Sequence, residues 1–180
     1  PVAARFECSL TSDVPSSLTP TVWGTLTRRP GASGAGAARR LVSGSCLSAN
    51  GLNGTSSPFA ACLTWTGGNA RRDACDFVGG DVIKRQLAEG VTRRRVGFKF
   101  TGKGAPARGG SVVKTASGEV VGESTSGGCA PVLGENIAMG YVQKAHAKAG
   151  TELLVETRGK STPAVTAKMP FVTCHYHRPA

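Results

Sequence analysis

Apolar and polar positions follow two regimes along this chain. From Thr92 onward the spacing is that of strands. Arg95-Val96-Gly97-Phe98-Lys99-Phe100 sets larger apolar residues against small or polar ones at every second position, the period of a half-buried strand. Ser111-Val112-Val113-Lys114 and Glu119-Val120-Val121-Gly122-Glu123 follow, joined through Ala116-Ser117-Gly118, which has hairpin-turn chemistry. Glu152-Leu153-Leu154-Val155-Glu156 and Ala164-Val165-Thr166-Ala167-Lys168 flank a further turn at Arg158-Gly159-Lys160. Short strands broken by Gly and Pro at this spacing predict a small closed barrel or a sandwich. Closure would remove the open sheet edges.

Before Thr92 the periodicity is poor. Residues 1 to about 38 are rich in Ser, Thr, Pro, Ala and Gly, with Pro15, Pro20, Pro30 and the run Gly31-Ala32-Ser33-Gly34-Ala35-Gly36-Ala37-Ala38. That composition predicts loop or disorder. Farther on, Cys62-Leu63-Thr64-Trp65 reads as the end of an apolar strand. Asp81-Val82-Ile83-Lys84-Arg85-Gln86-Leu87 is spaced for a short amphipathic helix, with Asp81 as its N-cap and Gly90 as its stop. No internal repeat is visible.

Length and charge narrow the classes. The 180 residues allow one domain, or one small domain plus part of another. Opening on Pro1 with no initiator Met is expected of a processed chain or of the tail of a longer one. No run of about 18 apolar residues occurs, so no transmembrane helix is expected. Lys and Arg outnumber Asp and Glu by 22 to 11, a formal charge of +11. The excess sits in Arg28-Arg29, Arg39-Arg40, Arg71-Arg72 and Arg93-Arg94-Arg95, followed by Lys99, Lys103 and Arg108. Aromatic residues, at 6%, are too few to interleave with these runs as a base-stacking platform. Neighbouring arginines in a strand also point to opposite faces. The favoured reading is solvated faces with one or two anion-contacting residues.

Candidate chemistry is sparse. Cys8, Cys46, Cys62, Cys75, Cys129 and Cys174 form no C-x-x-C pair, which excludes zinc-finger and thioredoxin spacing. Three disulfides would suit the even count, but free thiols in a reducing compartment are the expectation for a chain long enough to build a core. Cys174-His175-Tyr176-His177 is the nearest approach to a metal cluster, yet His146 is the only other histidine, so no metal site is expected. Gly102-x-Gly104 and Gly109-Gly110 do not fit a phosphate loop and read as turn glycines. Thr125-Ser126-Gly127-Gly128-Cys129 looks like a nucleophile loop only superficially, since no histidine can be assigned as its base. These features define a basic, β-rich globular domain and no reaction.

Two runs carry more. Asn136-Ile137-Ala138-Met139-Gly140-Tyr141-Val142 and Lys168-Met169-Pro170-Phe171-Val172 resemble signatures of the T protein of the glycine cleavage system, an aminomethyltransferase. Arg94-Arg95-Val96-Gly97-Phe98, Gly104-Ala105-Pro106-x-Arg108, Gly122-Glu123-Ser124-Thr125-Ser126-Gly127-Gly128 and Gly150-Thr151-Glu152-Leu153-Leu154-Val155-Glu156 resemble further family blocks in the same order. Upstream, Leu63-Thr64-Trp65, Arg71-Arg72 and Gly80-Asp81-Val82-Ile83 are similar to the stretch that enters the family's C-terminal barrel. The match is good over 93–176, fair over 62–92, poor over 40–61, and absent over 1–39.

The resemblance implies a mainly β fold, with a C-terminal β-barrel over 93–180 preceded at 40–92 by the tail of an α+β folate-binding domain. It implies transfer of a one-carbon unit from the aminomethyl-lipoyl H protein to tetrahydrofolate, with release of ammonia, in the mitochondrial matrix. The family's catalytic Asp belongs to an N-terminal domain outside these residues, so no catalytic residue is assigned and the chain alone is expected to be inactive. Tyr176 resembles a folate-contacting Tyr, and Arg95 resembles an Arg near the active cavity; the bland alternatives are a barrel-capping phenol and a structural ion-pair partner. Arg108 reads as a surface turn residue. The lipoylated H protein is the implied partner, with no membrane.

Departures from the family pattern cluster upstream. A gap-free register sets Gly36 at a folate-binding Arg, Val42 at a Glu and Ser48 at a Tyr, with Gly51, Asn53 and Gly54 at acidic positions. They motivate an alternative: a non-catalytic T-protein-like barrel serving as a structural or RNA-contacting subunit. The tail of a dimethylglycine or sarcosine dehydrogenase, marked by an upstream flavin-binding domain, is a third reading.

Overall fold

The computed structural model describes residues 33–102 and 104–173. Tyr176, the Cys174–His177 run, Arg28-Arg29 and the Pro-rich start lie outside the described residues. The chain divides after Ala37, and the unit Ala38–Ala180 holds all the sheet structure described below.

Six strands form the sheet: β1 (Arg93–Phe100), β2 (Val112–Lys114), β3 (Val120–Ala130), β4 (Glu135–Gln143), β5 (Glu152–Thr157) and β6 (Lys160–Ala167). Every pairing is antiparallel, and the order β1-β4-β3-β2-β5-β6 closes on itself through β6 and β1. The fold is a closed barrel, which selects one of the two architectures the strand spacing allowed. The hairpin signals hold. Arg158 and Gly159 adopt φ of 53° and 75°, so β5 and β6 join through a two-residue turn whose twist matches the strands.

Val96, Phe98, Phe100, Val113, Val142 and Val155 share the core cluster inside the barrel. Strand β1 departs from expectation: Arg95, Val96, Gly97 and Phe98 are all buried, where alternation predicts one solvated face. Its outer face is covered. Leu41, Ile137, Met139 and Phe171 form a second apolar cluster, joined by Val42 and Met169. Gly97 lets the cover approach, since a Cβ there would lie 2.5 Å from the Phe171 ring. Residues 168–173 act as a strap, fastened where the Phe171 N–H donates to the Val42 carbonyl at 3.0 Å.

Leu41 and Val42 close helix α1 (Ser33–Val42), whose first residues composition assigned to loop. The glycines drew that reading. Ala35, Ala37, Ala38, Arg39, Arg40 and Leu41 are strong helix formers, and Arg39 and Arg40 lie at the terminus where the helix dipole favours cations. Gly44, at φ 70°, then ends the helix with its N–H on the Leu41 carbonyl.

Among the described residues two further helices precede the barrel, α2 (Asn69–Ala74) and α3 (Gly80–Glu89). Gly90 stops α3 as expected, at φ 85° with its N–H on the Gln86 carbonyl. Asp81 is not the N-cap: Gly79 holds that position, and Asp81 sits in the first turn, where its charge still meets the positive end of the helix dipole. Cys62-Leu63-Thr64-Trp65 is not a strand end either. Helical-type turns, Ala61 N–H to Ser57 O and Leu63 N–H to Pro58 O, run into a 3-10 turn at Thr64–Thr66. The closed barrel offers no free edge for a strand to join.

Candidate functional site

Arg95 organises the covered side of the barrel. Its side chain is 7% exposed. Nε donates to the Ala61 carbonyl at 2.9 Å and Nη1 to the Gly44 carbonyl at 2.8 Å, with Met139 Sδ 3.5 Å from Nη1. Its backbone N–H donates to the Ala60 carbonyl at 2.8 Å. One residue thus holds two separate stretches of the upstream segment against β1. The ion-pair alternative finds no support, because none of the salt bridges among the described residues includes Arg95.

Beside this clasp lies a cleft of about 690 Å3 between the upstream segment and the barrel. Arg94, Arg95, Lys148 and Lys168 line it, and none of its lining residues is acidic. The Trp65 indole, 77% exposed, stands on one wall. Cys62 and Cys46 line it too, and Arg94 Nε donates to Cys62 Sγ at 3.2 Å. Met169 and Pro170 also line it. An unneutralised cationic hollow with an aromatic wall suits a ligand that joins a flat ring to an anionic group.

The departures upstream gain a physical reading here. Val42, where the family resemblance sets a Glu, packs with the apolar cluster under Phe171. Gly51 supplies a carbonyl to the Tyr141 hydroxyl at 2.7 Å. Asn53 Oδ1 accepts from the Thr55 amide and hydroxyl and from Ser56 Oγ, holding a tight turn. These positions serve the fold and bring no carboxylate to the cleft.

Tyr141 anchors that turn to β4. Arg93 lies over its ring, 5.3 Å from the centroid. Burial raises the phenol above its usual 10.0, so the folded state favours the neutral, hydrogen-bonding form. A group raised on folding contributes stability that is complete below its unfolded value and lost as pH climbs through the folded one. Urea midpoints are therefore expected to fall above about pH 10. Tyr141→Phe is expected to remove that pH-dependent component and cost about 1 kcal/mol at neutral pH. An unchanged alkaline profile in the variant would assign the titration to another group.

Sequence reasoning singled out Arg95 but missed the rest of the cleft. Lys148 and Lys168 lie at the two open ends of the β5–β6 hairpin, whose pairing sets 148–151 beside 166–168, and closure of β6 onto β1 then carries them to Arg94 and Arg95. Trp65 was hidden by its reading as a strand residue. Arg108 is an exposed turn residue, as expected, with its carbonyl accepting from Ser111 and Ser124. Thr125–Cys129 runs inside β3, so it forms no nucleophile loop. Cys46, Cys62, Cys75 and Cys129 are all free thiols, and among the described residues no group of His, Cys, Asp and Glu could hold a metal. No helix among the described residues is long and apolar enough to cross a membrane.

Comparison with known proteins decides the family. Residues 93–173 match the model of the glycine cleavage T-protein C-terminal barrel domain, from the first residue of β1 to the strap. These residues form a T-protein C-terminal barrel domain. The chain is 46% identical over 139 residues to the mitochondrial aminomethyltransferase of Mesembryanthemum crystallinum, covering 77% of this chain and 34% of that protein. The mitochondrial aminomethyltransferase of Gallus gallus is likewise 46% identical over 138 residues, covering 77% of this chain and 35% of that one. Among solved structures, the glycine cleavage system aminomethyltransferase T of Bartonella henselae superposes with a TM-score of 0.71 at 35% identity, over 76% of this chain and 37% of that one. The chain thus spans about a third of the length of these relatives, and the T-protein barrel lies in its second half.

Proposed function

We propose that this chain contributes the C-terminal part of a glycine cleavage aminomethyltransferase, which passes a one-carbon unit from the aminomethyl-lipoyl H protein to tetrahydrofolate and releases ammonia. One observation carries the reading: the acid-free cationic cleft at Arg95, whose lining includes the family's Met169-Pro170 run. Tetrahydrofolate joins a flat ring system to a carboxylate-bearing tail. Lys148, Lys168 and Arg94 suit the tail, and Trp65 suits an aromatic ring. Tyr176, seven positions beyond Met169, is assigned to folate contact by resemblance. Val42 and Ser48, which stand where the family has a Glu and a Tyr, supply no carboxylate or phenol to such a ligand.

The role of these residues is to bind and orient. Arg95 fixes the cleft wall through Gly44 and Ala61, while the lysines and Arg94 attract and hold the anion. The group that steadies charge developing on nitrogen belongs to the family's N-terminal domain. The cationic rim also suits docking of an acidic H protein, and the two mitochondrial relatives support a matrix location.

Trp65 fluorescence, read in a Trp23→Phe background, tests the reading. A reduced folate carrying its glutamate tail is expected to quench it saturably, with affinity falling as salt rises. Lys148→Gln/Lys168→Gln is expected to weaken binding by about tenfold. The same pteridine without the tail is expected to bind far more weakly. No quenching by folate, together with tight and steeply salt-dependent binding of single-stranded RNA, would establish the structural or RNA-contacting alternative.

A further inference from the structure

One mouth of the barrel carries a second, unassigned cleft. It measures about 450 Å3 and lies between the β1–β2 loop, at Gly102 and Gly104, and the β5–β6 turn, at Thr157, Arg158, Lys160 and Thr162. Along β5, Leu153, Val155 and Thr157 are the buried positions, so Thr157 continues the interior face to the barrel rim. Its side chain is 7% exposed, and its Oγ1 is buried with no hydrogen-bond partner. A hydroxyl in that state is costly, and folded proteins normally satisfy it. Arg158 and Lys160 flank it from the tight turn, neither belongs to a salt bridge among the described residues, and no lining residue is acidic.

We propose that this mouth is a binding site for a phosphate group, carried as a monoester or free. A tetrahedral oxyanion accepts hydrogen bonds in several directions at once. The site offers donors of that kind: the Arg158 guanidinium, the Lys160 ammonium and the hydroxyls of Thr157, Ser161 and Thr162. A planar carboxylate would be satisfied by one arginine fork and would leave the buried hydroxyl unused. The approach of Gly104 to Thr162 Oγ1, 3.3 Å from the position of a Cβ, keeps the loop backbone close enough to wall the site. The cleft exceeds what a bare phosphate fills, which leaves room for an organic substituent beside Ala105 and Pro163. The proposal is independent of the folate reading, since its lining residues are separate from those of the Arg95 cleft.

The test is an amide-resolved NMR titration of the whole chain with adenosine monophosphate, inorganic phosphate and adenosine, at constant ionic strength. Saturable shifts confined to the amides of Gly102, Gly104 and residues 157–162 are expected with the two phosphates and not with adenosine. Tighter binding of the nucleotide identifies an ester, and tighter binding of inorganic phosphate identifies the free ion. Thr157→Val, which keeps the side-chain shape, is expected to weaken binding by about tenfold while leaving the melting temperature without ligand unchanged or raised. Arg158→Gln/Lys160→Gln, confined to the exposed turn, is expected to weaken it by at least about tenfold. Shifts spread over every basic face, equal binding of adenosine, or wild-type affinity in Thr157→Val would each overturn the assignment.

Discussion

Arg95→Met is expected to lower the unfolding free energy by about 2–4 kcal/mol, read as a shift in the urea midpoint. Two effects compete. Removing the charged side chain of Arg95, a residue 7% exposed with no salt-bridge partner among the described residues, relieves a desolvation penalty, which favours the variant. Against that, the Gly44 and Ala61 carbonyls lose a charged donor at 2.8 and 2.9 Å and stay inside the interface. Each such loss is worth about 1.5–3 kcal/mol, so two outweigh the relief. Arg95→Lys should fall between, because one ammonium cannot reproduce the fork that spans both carbonyls. Hydrogen exchange separates this from general weakening. Residues 43–63 should lose protection first, while the β2 and β5 amides keep theirs. A midpoint within about 0.5 kcal/mol of wild type would show that backbone contacts alone hold the segment.

Gly140→Ala is expected to be at least as damaging, costing about 3 kcal/mol or more. A Cβ on Gly140 would collide with the Glu123 carbonyl oxygen and come within 2.7 Å of Ser124 Cα. Both belong to β3, which pairs with β4 along this stretch and already absorbs a register shift between Ser124 and Ser126. Backbone in a closed barrel cannot step aside without disturbing its neighbours on both flanks. Gly97→Ala makes the useful contrast. There the obstacle is the Phe171 ring, 2.5 Å away, and the strap can lift. A smaller loss, about 1–2 kcal/mol, is expected, with Phe171 and Met169 exposed. If Gly97→Ala proved the more damaging, the strap rather than the β3–β4 pair would be the rigid element.

What was legible in the chain divides by distance along it. The β5–β6 turn was readable because Arg158-Gly159-Lys160 contains its own instructions. Gly90 could be recognised as a helix stop for the same reason. The double burial of β1 was not readable, since its cover comes from Leu41 and Phe171, each more than fifty residues from Arg95 or beyond the last strand. Helix α1 was obscured because Gly34 and Gly36 resemble linker composition, while the burial of Leu41 that stabilises it is a tertiary fact. Arg95 was flagged, but its partners are main-chain carbonyls, which leave no trace in residue identity. The cleft was half visible: Arg94 and Arg95 are adjacent in sequence, whereas Lys148 and Lys168 are set side by side by the β5–β6 hairpin and reach the arginines only when β6 pairs with β1.

Closure through β1 and β6 also has a temporal consequence. The two strands that seal the barrel are its first and last to be synthesised, pairing Gly97 with Ala167 and Phe100 with Ala164. Until β6 has left the ribosome, β1 and β5 each carry an unpaired edge, and the strap that covers Gly97 does not yet exist. Assembly is thus a single late event dominated by contacts remote in sequence, a class that folds slowly. A stop codon before β6 would yield two exposed strand edges rather than a slightly weaker barrel, and so an aggregating chain for the cell's quality control to remove.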